Sequence, residues 1–217
     1  MRRTIVFLSL LLVASAAHAS SPIRHILILG DSLARGAGDE TGRGIAGALA
    51  TLTHASVENL GINGGRTANV LRQLARPDTR AAVRRAQLIV VSVGGNDLFG
   101  NSFERLGSMI APSVASSIVA SRVSRVITRV HEENPSAQIV LLGLYNPYRE
   151  TKVAGWIDAQ IARWDGRIIN LFASVRAVNV IRIADLIDER NAISPVDHYH
   201  PSALGYRAIA ERIWSSI

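Results

Sequence analysis

Short strand-like runs, some of them apolar at nearly every position, alternate along the chain with longer stretches in which apolar residues recur every three or four positions. The runs at His25 to Leu29, Ser56 to Asn59, Gln87 to Val93, Gln138 to Leu144 and Val178 to Ile183 predict five strands. Between them, helical spacing predicts helices near Ile45 to Leu52, Ala68 to Ala75, Thr79 to Ala86, Phe103 to Glu133 with a break at Pro112, and Val153 to Val175. After Pro201, Tyr206, Ile209, Ala210, Ile213 and Ile217 make an apolar stripe on a last helix. Strands joined by crossover helices imply an α/β protein with a parallel sheet covered on both faces. The first and third strands, apolar at almost every position, fit burial from both sides. No repeat or low-complexity linker interrupts residues 20–217, which are expected to form a single domain.

The first residues follow a different pattern. Met1-Arg2-Arg3 is a short basic start, Ile5 to Ala17 is apolar, and Ala17-His18-Ala19 puts small residues where a signal peptidase needs them. Residues 1–19 therefore read as a signal peptide cleaved after Ala19, with the mature protein exported to the periplasm or beyond. The rival reading, an uncleaved anchor, meets an apolar run shorter than the roughly 18 to 20 residues that cross a bilayer. The absence of cysteine suits an oxidising compartment and removes cysteine-based zinc sites, and the six histidines show no HExxH-like pairing.

The chain carries 24 basic and 17 acidic residues, and loss of Arg2 and Arg3 leaves the mature form at +5. Arg122, Arg125 and Arg129 share one helical face. A solvated surface is the ordinary reading of such a run, and peripheral contact with anionic envelope polymers or lipid headgroups is the functional one. With 5% aromatic residues and no recognised motif, nucleic acid is not an expected partner. A monomer is expected.

In open parallel sheets, ligands bind beyond the carboxyl ends of the strands. There the sequence reads Gly30-Asp31-Ser32-Leu33, then Asn63-Gly64-Gly65, then Gly94-Gly95-Asn96-Asp97, and finally Asp197-His198-Tyr199-His200-Pro201. A serine hydroxyl becomes nucleophilic when a base takes its proton and a carboxylate holds that base in one tautomer; Ser32, His200 and Asp197 supply the three roles. An oxyanion needs donors already aimed at it, and the N–H of Ser32, the N–H of Gly64 and the side-chain amide of Asn96 can provide them. Pro201 reads as a good first residue for the last helix, placing His200 at or next to its N-cap. Asp185 and Asp188 compete with Asp197 by proximity, but fall in a helix-forming segment. Leu33, Leu98, Phe99 and the Tyr145 to Tyr148 segment are candidates for an apolar acyl groove or, equally, for ordinary packing.

These four segments resemble the conserved blocks of the GDSL, or SGNH, hydrolase family, in order and over nearly the whole mature chain. The resemblance implies a flavodoxin-like three-layer α/β/α sandwich with strand order 2-1-3-4-5, and a metal-independent acyl-enzyme mechanism on carboxylic esters. Asn63, Arg66 and the pair His198-Tyr199 depart from the commoner pattern of the blocks; Arg66 bears on substrate charge or merely faces solvent. A GxSxG elbow is absent, and no third glycine completes a dinucleotide loop after Gly36 and Gly38. The expected activity is that of a serine esterase on lipid, lysophospholipid, aryl or alkyl esters. An O-acetyl glycan deacetylase of the same fold is the alternative substrate reading, and a non-catalytic glycan- or lipid-binding relative the alternative of another class.

Overall fold

The computed structural model describes residues 22–99, 112–187 and 191–217; side chains are described from residue 116 in the second segment. The leader, the part of the predicted helix before Pro112, and Asp188 lie outside the described residues.

Five parallel strands, β1 (His25–Gly30), β2 (Ser56–Gly61), β3 (Leu88–Ser92), β4 (Gln138–Leu142) and β5 (Val178–Ile181), form one sheet in the order β2-β1-β3-β4-β5. The apolar runs of β1, β3 and β4 are continuous because alternate residues feed two separate cores. Ile26 and Ile28 of β1, Leu88 and Val90 of β3, and Val140 and Leu142 of β4 pack on one face. Leu27, Leu29, Ile89, Val91, Ile139 and Leu141 pack on the other.

The first face is covered by α2 (Gly44–Thr53) and α8 (Ala203–Ser215). The second is covered by α3 (Thr67–Leu74), α4 (Pro77–Arg85), α6 (Pro112–Glu133) and α7 (Ala154–Phe172). Two one-turn helices, α1 (Ser32–Arg35) and α5 (Gly95–Leu98), sit at the strand ends. The described part of α6 begins at Pro112. No helix among the described residues is long and apolar enough to cross a membrane.

The start of the last helix corrects the sequence reading. Its N-cap is Ser202, whose hydroxyl accepts the Gly205 N–H and donates to the Asn191 carbonyl. Pro201 instead pairs with Ile193 in an isolated bridge, so His200 stands two residues before the cap. Ile217 lies beyond the helix and is exposed.

Candidate active site

Gly30 aligns with Gly61 of β2 and Ser92 of β3, so three strand ends meet at one point of the sheet edge. The chain turns there at Gly30, φ +138°, where a Cβ would lie 1.9 Å from the Ser92 carbonyl oxygen. Only glycine tolerates that approach. The Asp31 N–H then donates to the same carbonyl at 3.0 Å. The Asp31 carboxylate accepts from Ser92 Oγ at 2.8 Å and from the Leu33 N–H at 3.1 Å, capping α1. Burial pushes the Asp31 carboxyl up to about 6, with the Ser92 hydrogen bond working against it. These contacts lock Ser32 as the first residue of α1, where its N–H has no acceptor within the helix.

His200 Nε2 lies 2.9 Å from Ser32 Oγ, and its Nδ1 lies 2.7 Å from Asp197 Oδ2. Asp197 Oδ1 accepts the N–H groups of Tyr199 and His200 at 3.0 and 2.9 Å. Desolvation pushes the Asp197 carboxyl up, but the hydrogen bonds from the His200 ring and the two amides outweigh it and hold the group below the usual carboxylate range. The Asp197 carboxylate thus stays ionised beside the imidazole, the arrangement that orients a general base. Asp185, the rival acid, is paired with Arg212 at 2.7 Å in a turn at Ala184–Ile187. His198 adopts φ +54° with an exposed side chain, its N–H given to the Ser194 carbonyl.

Gly64 and Asn96 come to the same place from the ends of β2 and β3. Asn96 Nδ2 donates to the Gly65 carbonyl at 3.0 Å, leaving its second amide hydrogen for another acceptor. No hydrogen bond among the described residues uses the Gly64 N–H. Asp97, 3% exposed at its side chain, accepts from the Thr67 N–H at 2.9 Å and from Thr67 Oγ1 at 2.6 Å. That pair ties the β3 end to the start of α3 and so fixes Asn96 against the Gly64 loop. The sequence motif contains Asp97 but gives no sign of its partner thirty residues upstream.

A cleft of about 480 Å³ opens at these groups. Ser32, Gly64, Asn96, Asp197 and His200 line it together with Leu33, Phe99, Leu144, Ile157 and Ile161. Of the residues expected to form an apolar groove, Leu33, Phe99, Tyr145, Pro147 and Tyr148 do line the cleft, whereas Leu98 packs against the core. Ile157 and Ile161 of α7, one turn apart, extend the apolar side and are invisible to motif reasoning because they look like any core positions. The loop after β4 is pinned by Asn146, fully buried, whose amide donates to the Ala154 carbonyl and to Asp158. At the rim, Tyr199 stacks edge-on between Tyr148 (centroids 5.6 Å apart) and His200 (4.9 Å), and Tyr145 Oη donates to the Tyr199 carbonyl at 3.1 Å.

Residues 28–208 match the model of the GDSL-like lipase/acylhydrolase family, and the chain belongs to that family. It is a carboxylic ester hydrolase. Its sequence is 26% identical, over 93% of this chain and 85% of the relative, to the uncharacterized protein YpmR of Bacillus subtilis. Its fold superposes with a TM-score of 0.77 on the lipase Lip_vut3 from a goat rumen metagenome, at 24% identity, covering 89% of this chain and 97% of that one. An acetyl-xylooligosaccharide esterase from Geobacillus gives 0.65 at 15% identity, with 88% and 92% covered.

Proposed function

We propose that the protein cleaves carboxylic esters carrying an apolar acyl or aryl group by a Ser-His-Asp acyl-enzyme mechanism without a cofactor, using Ser32, His200 and Asp197. The single observation that carries this reading is the unbroken relay Ser32 Oγ, His200 Nε2, His200 Nδ1, Asp197 Oδ2, with spacings of 2.9 and 2.7 Å across its two hydrogen bonds. Ser32 Oγ attacks the ester carbonyl carbon while His200 Nε2 takes its proton. The tetrahedral oxyanion forms against the N–H groups of Ser32 and Gly64 and the free amide hydrogen of Asn96. His200 returns the proton to the leaving alcohol, and the acyl group stays on Ser32. A water, deprotonated by His200, then attacks the acyl carbon; release of the carboxylic acid restores the serine hydroxyl.

Phe99, Leu144, Ile157 and Ile161 support an apolar acyl or aryl moiety, such as a fatty acyl chain, because burying a methylene there is favourable by about 0.8 kcal/mol. A second substrate reading, an O-acetyl glycan, rests on the Tyr148–Tyr199 pair at the mouth, a surface on which a sugar ring can stack. In the site reading the protein acts as a monomer, and residues 1–19 direct its export, with cleavage after Ala19. The non-catalytic alternative is disfavoured because a binding surface has no use for an oriented imidazole on a serine hydroxyl.

The test is hydrolysis of p-nitrophenyl acetate, hexanoate and octanoate by the wild type and by Ser32→Ala. A fall of at least about 10⁴-fold in kcat with Ser32→Ala is expected. Equal rates would refute the serine assignment, and an inactive wild type across diverse esters would favour the binding reading.

A further inference from the structure

The surplus positive charge of this chain is confined to one layer of the sandwich. Nine arginines, Arg66 at the head of α3, Arg72, Arg76 just before α4, Arg80, Arg84 and Arg85 of α4, and Arg122, Arg125 and Arg129 of α6, are all exposed on three helices that pack together. The same residue spans hold three surface acids, Asp78, Glu132 and Glu133, which leaves +6. The whole chain is +7, and Arg2 and Arg3 account for two of that, so everything else from residue 20 onward nets about −1. Five of the nine make ion pairs within the layer or to Glu58 of β2 at 3.6 Å or less, and Arg122 sits 3.9 Å from Asp97. Arg66, Arg72 and Arg125 have no acid within 4 Å among the described residues.

Three features narrow the partner. Every cation is an arginine, whose planar fork matches phosphate oxygens and is more weakly hydrated than an ammonium. None of the three helices carries an aromatic residue, so the stacking platforms that single-stranded nucleic acids use are missing. On α6 the charged stripe continues into Ile118, 51% exposed, one turn ahead of Arg122. A layer of arginines with an apolar side chain among them suits a phosphate-bearing, apolar-cored surface. The layer also reaches the cleft: Arg66 follows Gly64 and Gly65 directly, and Arg122 faces the Asp97 that anchors the Asn96 turn.

We propose that the α3–α4–α6 layer is a docking surface for anionic phospholipid bilayers, which sets the ester-hydrolysing cleft beside lipid headgroups. The choice of lipid leans on the ester-hydrolase reading of the cleft, whereas the charge on the layer is independent of it.

The experiment is co-sedimentation of the full chain with phosphatidylglycerol vesicles and with phosphatidylcholine vesicles at 0.05, 0.15 and 0.5 M NaCl. Wild type, Ser32→Ala and the double reversal Arg72→Glu/Arg125→Glu are compared, and p-nitrophenyl acetate hydrolysis serves as the folding control. Expected is binding to phosphatidylglycerol that weakens at least about tenfold between the lowest and highest salt. The double reversal should lose at least about tenfold in binding at 0.15 M NaCl while hydrolysing the soluble ester within about twofold of wild type. Ser32→Ala should bind as wild type does, so failure of the serine mechanism and failure of docking read out separately. Equal binding of wild type and the double reversal, or binding indifferent to salt, overturns the proposal. Capture of the wild type by polyphosphate or heparin but not by phosphatidylglycerol vesicles also overturns it, in favour of a soluble polyanion. If the double reversal loses soluble-ester activity as well, the wild-type salt series alone decides.

Discussion

Ser194 Oγ donates a hydrogen bond to the Gly38 carbonyl at 2.5 Å, joining the loop before α8 to the loop that follows the Ser32 turn. Ser194 is fully buried and is the hub of the His200 segment: its N–H donates to the His200 carbonyl, its carbonyl accepts from the His198 N–H, and its hydroxyl accepts from the Val196 N–H. Gly38 lies directly behind the acid-base pair, at φ +81°, and a Cβ there would come within 2.6 Å of His200 Cβ. The serine and the glycine together set where the imidazole stands.

Ser194→Ala should therefore damage catalysis through geometry. It leaves the Gly38 carbonyl and the Val196 N–H without a partner, at a cost of about 1–3 kcal/mol in stability. A misplaced base should lower kcat by roughly 10- to 100-fold with little change in KM. Steady-state kinetics on p-nitrophenyl acetate with a thermal melt check this, and Ser194→Thr should recover part of kcat.

Asn96→Ala removes one of the proposed oxyanion donors and should cost roughly 10² to 10³ in kcat with KM nearly constant, since on that mechanism the lost contact forms only in the transition state. The measurement is kcat and KM for two esters of different leaving group. A change confined to KM would move Asn96 from charge stabilisation to substrate binding.

Ile161 tests the acyl arm. Replacing it with Trp should fill the apolar side between α5 and α7, lowering turnover of p-nitrophenyl octanoate at least about tenfold while acetate changes less than about twofold, because octanoate's longer chain loses burial worth about 0.8 kcal/mol for each methylene excluded. An equal loss on both esters would show that the chain does not run past α7.

Asp165 makes stability depend on pH. It is buried in α7, accepts the Leu144 N–H at 3.2 Å, and burial pushes its carboxyl up to about 6 from 3.8. A carboxyl raised in the folded state favours folding when protonated, so its contribution is fully present below about pH 4 and is lost as pH rises through about 6. Asp165→Asn keeps an acceptor for Leu144 and removes the titration. Relative to wild type, the variant should gain up to about 3 kcal/mol between pH 4 and pH 7, read from urea unfolding at both pH values. A parallel pH dependence in the two proteins would refute the assignment.

The strands, and the meeting of Ser32, His200 and Asp197 at one cleft, were legible in the sequence for physical reasons. Two-sided burial leaves runs such as Leu88-Ile89-Val90-Val91 apolar at every position, and the proposed nucleophile, base and acid are polar side chains in segments that follow a strand or precede a helix. The supports were not legible. Thr67 with Asp97, Ser194 with Gly38, and Asn146 with Asp158 are contacts between side chain and side chain or loop, fixed only once remote segments meet. The helix start at Ser202 was missed because Pro201 satisfies the general preference for proline in a first turn, while its bridge to Ile193 depends on tertiary contact. The two α7 isoleucines that line the cleft carry the same periodic signal as those that fill the core.

The packing of α8 on α2 has a kinetic meaning. The sheet presents Ser32, Gly64 and Asn96 from its own strand ends, but Asp197 and His200 are held by a loop whose position depends on α8 lying against α2. Local opening of that helix, well short of melting the sheet, would withdraw His200 and leave Ser32, Gly64 and Asn96 in place but, on the proposed mechanism, idle. Loss of turnover on heating should then precede loss of the sheet, with activity acting as a reporter of one helix rather than of the whole fold.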